Sequence, residues 1–336
     1  MATDKSFLRA GVDIGGSNVK VALVDAQGRT AGKVFQRPIL PEERDADAVV
    51  SLACALLHEA LSDAAIALEH VEAVGVGCPG VLHAGGVIHA ASNFPSWHDV
   101  PLCQMLADRL GDGVKVHVCN DADAAILAEQ WVGMAQGDVK NFIMLSKEKN
   151  QCDIPLGTGV GVGIVTDGKL VRGGFNMIEG GHMIVERNGR LCGCSQRGCL
   201  EAYSSAGALI LEAQEHVAAG ADSTLAMYPS EIINAELIFQ LAKEGDAMCT
   251  RLIAEAADYL GFACVNFCRM LDPEMIVLSG GMAEAGDVFV SQVRDAYLKY
   301  SWTAFPNPVR IEKASAGYHS GVIGAAYSCL LQLNSV

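Results

Sequence analysis

Residues 8–24 read LRAGVDIGGSNVKVALV. Two apolar runs, Leu8–Ile14 and Val19–Val24, flank Gly15-Gly16-Ser17. Apolar runs on either side of a glycine turn predict a β-hairpin. Glycines at its tip let backbone N–H groups approach an anion with no Cβ in the way. Two more glycine turns follow apolar runs, at Gly157-Thr158-Gly159-Val160-Gly161 and at Ser279-Gly280-Gly281. One such turn is ordinary punctuation. Three, well separated, point modestly to phosphate binding, with side-chain hydrogen bonds from Ser17, Asn18 and Thr158 and with Asp13 helping to hold Mg²⁺ through water. No G-x-x-x-x-G-K-[ST] occurs, so this is not a Walker-type loop. No G-x-G-x-x-G follows the first strand, which argues against a dinucleotide fold.

Outward from the hairpin, strands and helices alternate. Arg29–Pro38 predicts a third strand. Asp45–Leu68 carries Val49, Leu52, Ala53, Leu56, Leu57 and Ala60 at helical spacing, which predicts an amphipathic helix. Strands are expected at Ala73–Gly77, Val114–Cys119, Asn141–Ser146, Val160–Thr166, Met275–Leu278 and Val309–Ala314. Helices are expected at Pro101–Leu110, from Asn120-Asp121 to about Trp131, through much of the chain after Ala206, and at Gly321–Leu333. This is an α/β chain with more than one sheet layer.

Length and composition agree with that plan. A chain of 336 residues, 51% apolar and 19% charged, has material for two domains or one two-lobed fold and is not expected to be disordered. A net charge of −15 repels phosphate backbones and anionic lipid, so neither nucleic acid nor membrane is an expected partner. The twelve cysteines are scattered, nothing resembling a leader precedes the first strand, and no apolar run reaches the roughly 18 residues that span a bilayer. A reducing, cytoplasmic location is expected, with most cysteines as small buried apolar residues.

One group of cysteines is different. His182, Cys192, Cys194 and Cys199 form H-x9-C-x-C-x4-C. Three thiols and an imidazole suit tetrahedral Zn²⁺, and four protein ligands leave no open position, so the role is structural. Gly193 and Gly198 would supply turns, and Arg190 and Arg197 could offset thiolate charge. Asp121 raises a separate question. It follows a buried-looking strand and opens a helix, which suits a general base and suits an N-cap better.

These segments together resemble the ROK family of sugar kinases, within the actin/hexokinase ATPase superfamily. The resemblance rests on Asp13-Ile14-Gly15-Gly16-Ser17, Asn93-Phe94-Pro95-Ser96-Trp97, Asn120-Asp121-Ala122-Asp123-Ala124, Gly157-Thr158-Gly159, Glu179-Gly180-Gly181-His182, Cys192-Gly193-Cys194, Gly198-Cys199-Leu200-Glu201 and Gly280-Gly281. It extends from about Gly11 to Ala326. It implies a two-lobed, ribonuclease-H-like α/β fold with a zinc-binding segment, 182–199, in the larger lobe. The small lobe would be residues 1–121 plus 317–336, and the large lobe 122–316. Sugar and ATP would meet in the cleft, and lobe closure would exclude water. The resemblance turns Asp121 into the catalytic base, taking the proton of a hexose 6-hydroxyl as its oxygen attacks the γ-phosphate. Asn93, Asn120, Glu179, His182 and Glu201 would bind the sugar, and Gly15, Gly16, Gly157 and Gly159 the phosphates, with Gly280 and Gly281 near adenosine. Many relatives are homodimers, so a homodimer is expected.

Three departures from the family pattern stand out. Nine residues, Lys147–Pro155, interrupt the approach to the second phosphate turn. Val162 and Ile178 stand where glycine is usual. Glucose leads as the expected substrate, ahead of N-acetylglucosamine, mannose and fructose. A non-catalytic sugar sensor is the alternative of another class. A DNA-binding relative would need an N-terminal helix-turn-helix, and the hairpin begins too early to leave room for one. Filament or chaperone ATPases lack the cysteine-rich segment.

Overall fold

The glycine hairpin forms: Leu8–Ile14 (β1) and Asn18–Val24 (β2) pair antiparallel, with Asp13 opposite Lys20. The computed structural model describes residues 8–91, 93–111, 113–147, 159–173, 178–304 and 308–333. After β2 come Phe35–Pro38 (β3), Ala46–Asp63 (α1) and Val71–Cys78 (β4). Three short strands follow, Val81–His83 (β5), Val87–Ala91 (β6) and Phe94–Val100 (β7), then Leu102–Leu110 (α2), Val116–Asn120 (β8) and Asp121–Trp131 (α3). Phe142–Lys147 (β9), Val160–Thr166 (β10) and Lys169–Leu170 (β11) precede Glu201–Ser204 (α4), Ala206–Ala218 (α5), Ala235–Lys243 (α6) and Ala247–Leu271 (α7). Met275–Gly280 (β12), Gly281–Glu284 (α8), Asp287–Tyr300 (α9), Arg310–Lys313 (β13) and Ser320–Leu333 (α10) complete the order. No helix among the described residues is long and apolar enough to cross a membrane.

The chain divides into two units. One comprises Met1–Asp138, Arg172–Met177 and Ser315–Val336, the other Val139–Val171 and Ile178–Ala314. The first unit's sheet runs β3-β2-β1-β4-β8 and the second's runs β11-β10-β9-β12-β13. In each, the first two pairings are antiparallel and the last two parallel. One strand plan is therefore used twice.

The first unit extends past residue 121 to take in α3, because α10 packs closely along that helix. A Cβ at Gly324 would lie 1.6 Å from the Ala124 carbonyl oxygen, so only glycine allows the approach. Gly75 does the same for α10 on β4, where a Cβ would lie 1.8 Å from the Ala325 carbonyl oxygen. At the far end of α3, Glu129 is 1% exposed. Its carboxylate accepts the backbone N–H groups of Met134 at 2.8 Å, Ser315 at 2.9 Å and Ala316 at 2.6 Å. It thus binds backbone near residue 138, where the chain first leaves this unit, and at residue 315, where it last re-enters, and those three N–H groups satisfy a buried carboxylate that would otherwise be costly.

Three sequence expectations shift. The helix expected to reach Leu68 ends at Asp63. Ala65 takes a left-handed conformation (φ 53°), and Ile66 N–H donates to the Leu61 carbonyl at 2.9 Å, so a C-terminal cap forms without glycine. The third strand begins at Phe35 rather than Arg29, because the Asp25 carboxylate accepts from the N–H groups of Gln27 and Arg29 and folds that stretch into a turn. The small sheet β5-β6-β7 was not expected at all. It is seated by Phe94 and Trp97, fully buried and stacked with centroids 4.4 Å apart.

The second unit is built on α7, which buries Leu252, Ile253, Ala256, Leu260 and Phe267 against the sheet and neighbouring helices. Asp246 caps it, accepting from Cys249 N–H at 2.9 Å, Thr224 N–H at 2.7 Å and Ser223 Oγ–H at 2.8 Å. Those three donors hold its carboxyl down at about 2 against the opposing pull of burial.

Candidate active site

In the first unit, parallel pairing lines up the carboxyl ends of three strands. Asp13 on β1 lies beside Gly77 on β4, and Gly77 lies beside Cys119 on β8. Asn120 and Asp121 come next in the chain. The carboxyl ends of parallel strands are where open α/β sheets bind ligands. Asn120 is the N-cap of α3: its Oδ1 accepts from Ala122 N–H at 2.9 Å, and its Nδ2 donates to the Gly80 carbonyl at 3.1 Å. That settles the cap at Asn120 and puts Asp121 in the first helical turn, where its Oδ1 also receives Ala122 N–H at 2.9 Å. Among the described residues these two bonds leave the Asn120 amide one N–H and one lone pair.

The tip of the first hairpin is drawn to the Asn93 loop. Gly15 N–H donates to the Asn18 carbonyl at 2.9 Å, closing the turn. Gly16 is a close-approach position: a Cβ there would lie 2.9 Å from the Asn93 side-chain nitrogen. Arg44 ties the two together, donating to the Asn93 carbonyl at 3.1 Å and the Gly16 carbonyl at 3.0 Å. The Trp97 indole in turn donates to the Arg44 carbonyl at 2.9 Å. Sequence reading passed over Arg44, which sits in the charged run Glu42-Glu43-Arg44-Asp45 and looks like solvated surface. Ser17 adds its carbonyl, which accepts from Ile39 N–H at 2.8 Å. Asp13 sits on β1 just before the turn, and burial raises its carboxyl above the ordinary value against the pull of Lys20. One carboxylate at a strand end suits Mg²⁺, which takes one or two acids and completes its shell with water and phosphate oxygens.

In the second unit, His182, Cys192, Cys194 and Cys199 converge, with their ligand atoms all within 4.8 Å of one another. His182 Nδ1 is 3.6 Å from Cys192 Sγ, and Cys194 Sγ is 3.6 Å from Cys199 Sγ. A tetrahedron with metal–sulfur bonds of about 2.3 Å has edges of about 3.8 Å. The set therefore fits a four-coordinate zinc ion. Backbone pairing shapes the loop: Ile184 bridges to Cys199 and Leu191 to Arg197. Burial pushes Cys192 up to about 12 and raises Cys199, while the Gln196 N–H lowers Cys194. Arg190 and Arg197 turn elsewhere than toward the thiols. Arg190 pairs with Glu212 and lies over the Tyr203 ring, and Arg197 donates to the Gly189 carbonyl at 3.2 Å.

Glu201, at the start of α4, links the metal set to the second glycine turn. Its Oε2 accepts from Val160 N–H at 3.1 Å, and its Oε1 is 3.6 Å from Cys192 Sγ. A Cβ at Gly159 would lie 2.6 Å from Glu201 Oε2, so a larger residue there would push the Glu201 carboxylate aside. Glu179 is exposed at the head of the short turn Gly180–His182. Gly280 ends β12 and Gly281 opens α8. Gly157, Thr158 and residues 148–155 of the insertion lie outside the described residues. Val160 nevertheless pairs with Lys147, the first residue of the insertion, and β10 continues in register along β9. Asn93, Asn120, Asp121 and Asp13 belong to the first unit; Glu179, His182, Glu201, Gly159, Gly280 and the metal set belong to the second.

A profile of the ROK family matches residues 9–331. The chain is 33% identical to a glucokinase of Thermotoga maritima over 94% of this chain and 95% of that one. It is 31% identical to an N-acetylmannosamine kinase of Vibrio vulnificus, over 94% of this chain and 96% of that one. Among solved structures, a ROK family glucokinase from Streptomyces griseus in complex with glucose and AMPPNP superposes with a TM-score of 0.75. It shares 30% identity with this chain and covers 95% of it, and 98% of its own length is matched. With its doubled strand plan, its cysteine–histidine set and a match along nearly its whole length, the chain belongs to the ROK family.

Proposed function

We propose that this protein is an ATP-dependent sugar kinase that phosphorylates a hexose on its 6-hydroxyl, with glucose the first candidate. The observation that carries the reading is the alignment of Asp13, Gly77 and Cys119 across three parallel strands, with Asn120 capping the helix and Asp121 just inside it. Asp121 accepts the proton of the sugar hydroxyl as that oxygen attacks the γ-phosphate, and ADP leaves. Asn93, Asn120, Glu179, His182 and Glu201 hold sugar hydroxyls. Backbone N–H groups of the glycine turns at 15–18 and 157–159 hold phosphates, Asp13 supports Mg²⁺, and Gly280-Gly281 lies near the nucleoside. The metal set binds structural zinc, and its one imidazole nitrogen not facing Cys192 is available to the sugar. The protein acts in the cytoplasm as a homodimer.

The 31% identity to an N-acetylmannosamine kinase supports a second candidate substrate class, the N-acetylhexosamines. A panel of glucose, mannose, fructose, N-acetylglucosamine and N-acetylmannosamine in an ADP-release assay separates the two. Asp121→Asn is expected to lower kcat by about 10³-fold with the sugar affinity held within a few-fold. ADP release with none of these sugars, alongside measurable sugar binding, would instead mark a non-catalytic sensor.

A further inference from the structure

Three of the nine histidines lie on the small sheet. His83 ends β5, His89 is in β6 and His98 is in β7. Antiparallel register sets His89 opposite Asp99, since Ile88 faces Val100 and Ala90 faces His98. Ile88, Trp97 and Val100 are buried and seat the sheet, while His83, His89, His98 and Asp99 are exposed. These four side chains stand on an anchored backbone within reach of solvent. None of them serves the sugar or the nucleotide in the kinase reading.

Two distances bear on what they hold. The ring centroids of His83 and His89 are 5.0 Å apart, with the planes at 63°. Two imidazoles sharing one ion, with metal–nitrogen bonds of about 2.1 Å and bond angles of roughly 90–110°, have ring centres about 4.5–5.3 Å apart. A simple edge contact gives similar spacing, so the second distance decides. His89 Nδ1–H donates to Asp99 Oδ1 at 2.6 Å. That bond fixes the ring and leaves Nε2 as the nitrogen with a lone pair. A carboxylate behind one ring nitrogen is the usual support of a metal-binding histidine, because it orients the ring and raises its basicity. Asp99 also takes a left-handed conformation, with φ at 50°. Such a position costs backbone energy, and an ion pair between exposed groups offsets little of it. The His89 hydrogen bond holds the Asp99 carboxyl below its ordinary value, with His83 and His98 adding to the pull.

We propose that His83 and His89 form a second metal site, which takes one divalent transition ion on two imidazole nitrogens with water in its remaining positions, and that Asp99 is the positioning residue behind His89. Imidazole suits Zn²⁺, Cu²⁺ and Ni²⁺, whereas Mg²⁺ prefers oxygen ligands. The site differs in kind from the cysteine set, with two nitrogen ligands in place of four closed ones. An ion there ties β5 to β6 across the turn at 84–86. The proposal does not depend on the kinase reading.

The test is calorimetric titration of Ni²⁺ into the full-length protein as purified, at neutral pH, with zinc content measured before and after. Wild type is expected to take up Ni²⁺ at this site with no loss of zinc. His83→Gln and His89→Gln should each weaken the binding at least tenfold, with the melting temperature in the absence of Ni²⁺ unchanged as the check on folding. Asp99→Ala should weaken it about tenfold, and Asp99→Asn, which still accepts from Nδ1–H, by less. Binding that neither histidine variant weakens would be an adventitious ion only, and binding that just one of them weakens would leave no shared ion; either result overturns the proposal. So would an absence of Ni²⁺ binding in wild type, zinc release in step with Ni²⁺ uptake, or wild-type affinity in Asp99→Ala.

Discussion

The two units share a strand order but are finished by different means. The first is closed by packing: α10 lies against β1, β4 and α3 at glycine-wide distances, and the Glu129 carboxylate binds the backbone of Met134, Ser315 and Ala316, near two of the unit's chain crossings. The second carries the segment 181–200, in which Gly181, Cys192, Gly198, Cys199 and Leu200 are buried while Ile184 is 56% and Leu191 65% exposed. Two metal ligands are thus among the few buried side chains there, and two of the larger aliphatic ones, Ile184 and Leu191, face solvent. Where a loop has too little apolar surface to form its own core, a metal ion can be that core.

Metal removal should separate the units most clearly. The purified protein is expected to hold about one zinc per chain, and chelation should destabilise the second unit by roughly 5–10 kcal/mol, a discounted share of what structural zinc gives small domains. Hydrogen exchange would then rise through residues 181–200 while amides of β1, β4 and β8 keep their protection. Equal loss of protection in both units would break the comparison. Glu129→Ala tests the other side. Three partly buried N–H groups lose a charged acceptor, so the denaturant midpoint should fall by an amount worth about 3 kcal/mol, with zinc content unchanged. The smallest effect is pH-dependent. The folded carboxyl of Asp246 lies at about 2, below its ordinary 3.8. Its contribution is full above pH 3.8 and is lost as pH falls toward 2. Wild type and Asp246→Asn should therefore differ in melting temperature at pH 6 and converge near pH 2.

Much of this frame was legible because its signals are local. β1, β2, β12 and α10 are apolar runs that adjoin glycines, and the metal set fits within the 18 residues from His182 to Cys199. The small sheet was not legible, because β7 buries Phe94, Trp97 and Val100, every third residue, in place of the alternation expected of a strand. The end of α1 was hidden because alanine, not glycine, takes the left-handed position at residue 65. Arg44 was hidden for another reason: its partners lie 28 and 49 residues away, and no spacing rule reaches that far. Lys20 was visible only as one more residue of a strand until the register set it against Asp13.

The packing of α10 bears on how the protein is made. Its residues 320–333 cover a sheet whose strands were all in place by Asn120. At ribosomal rates of about 5–20 residues per second, that sheet waits on the order of 10–40 s for its covering helix. During that wait the nascent chain exposes Gly11, Gly75 and the apolar strands around them, so this interval is when a chaperone would have the most to hold.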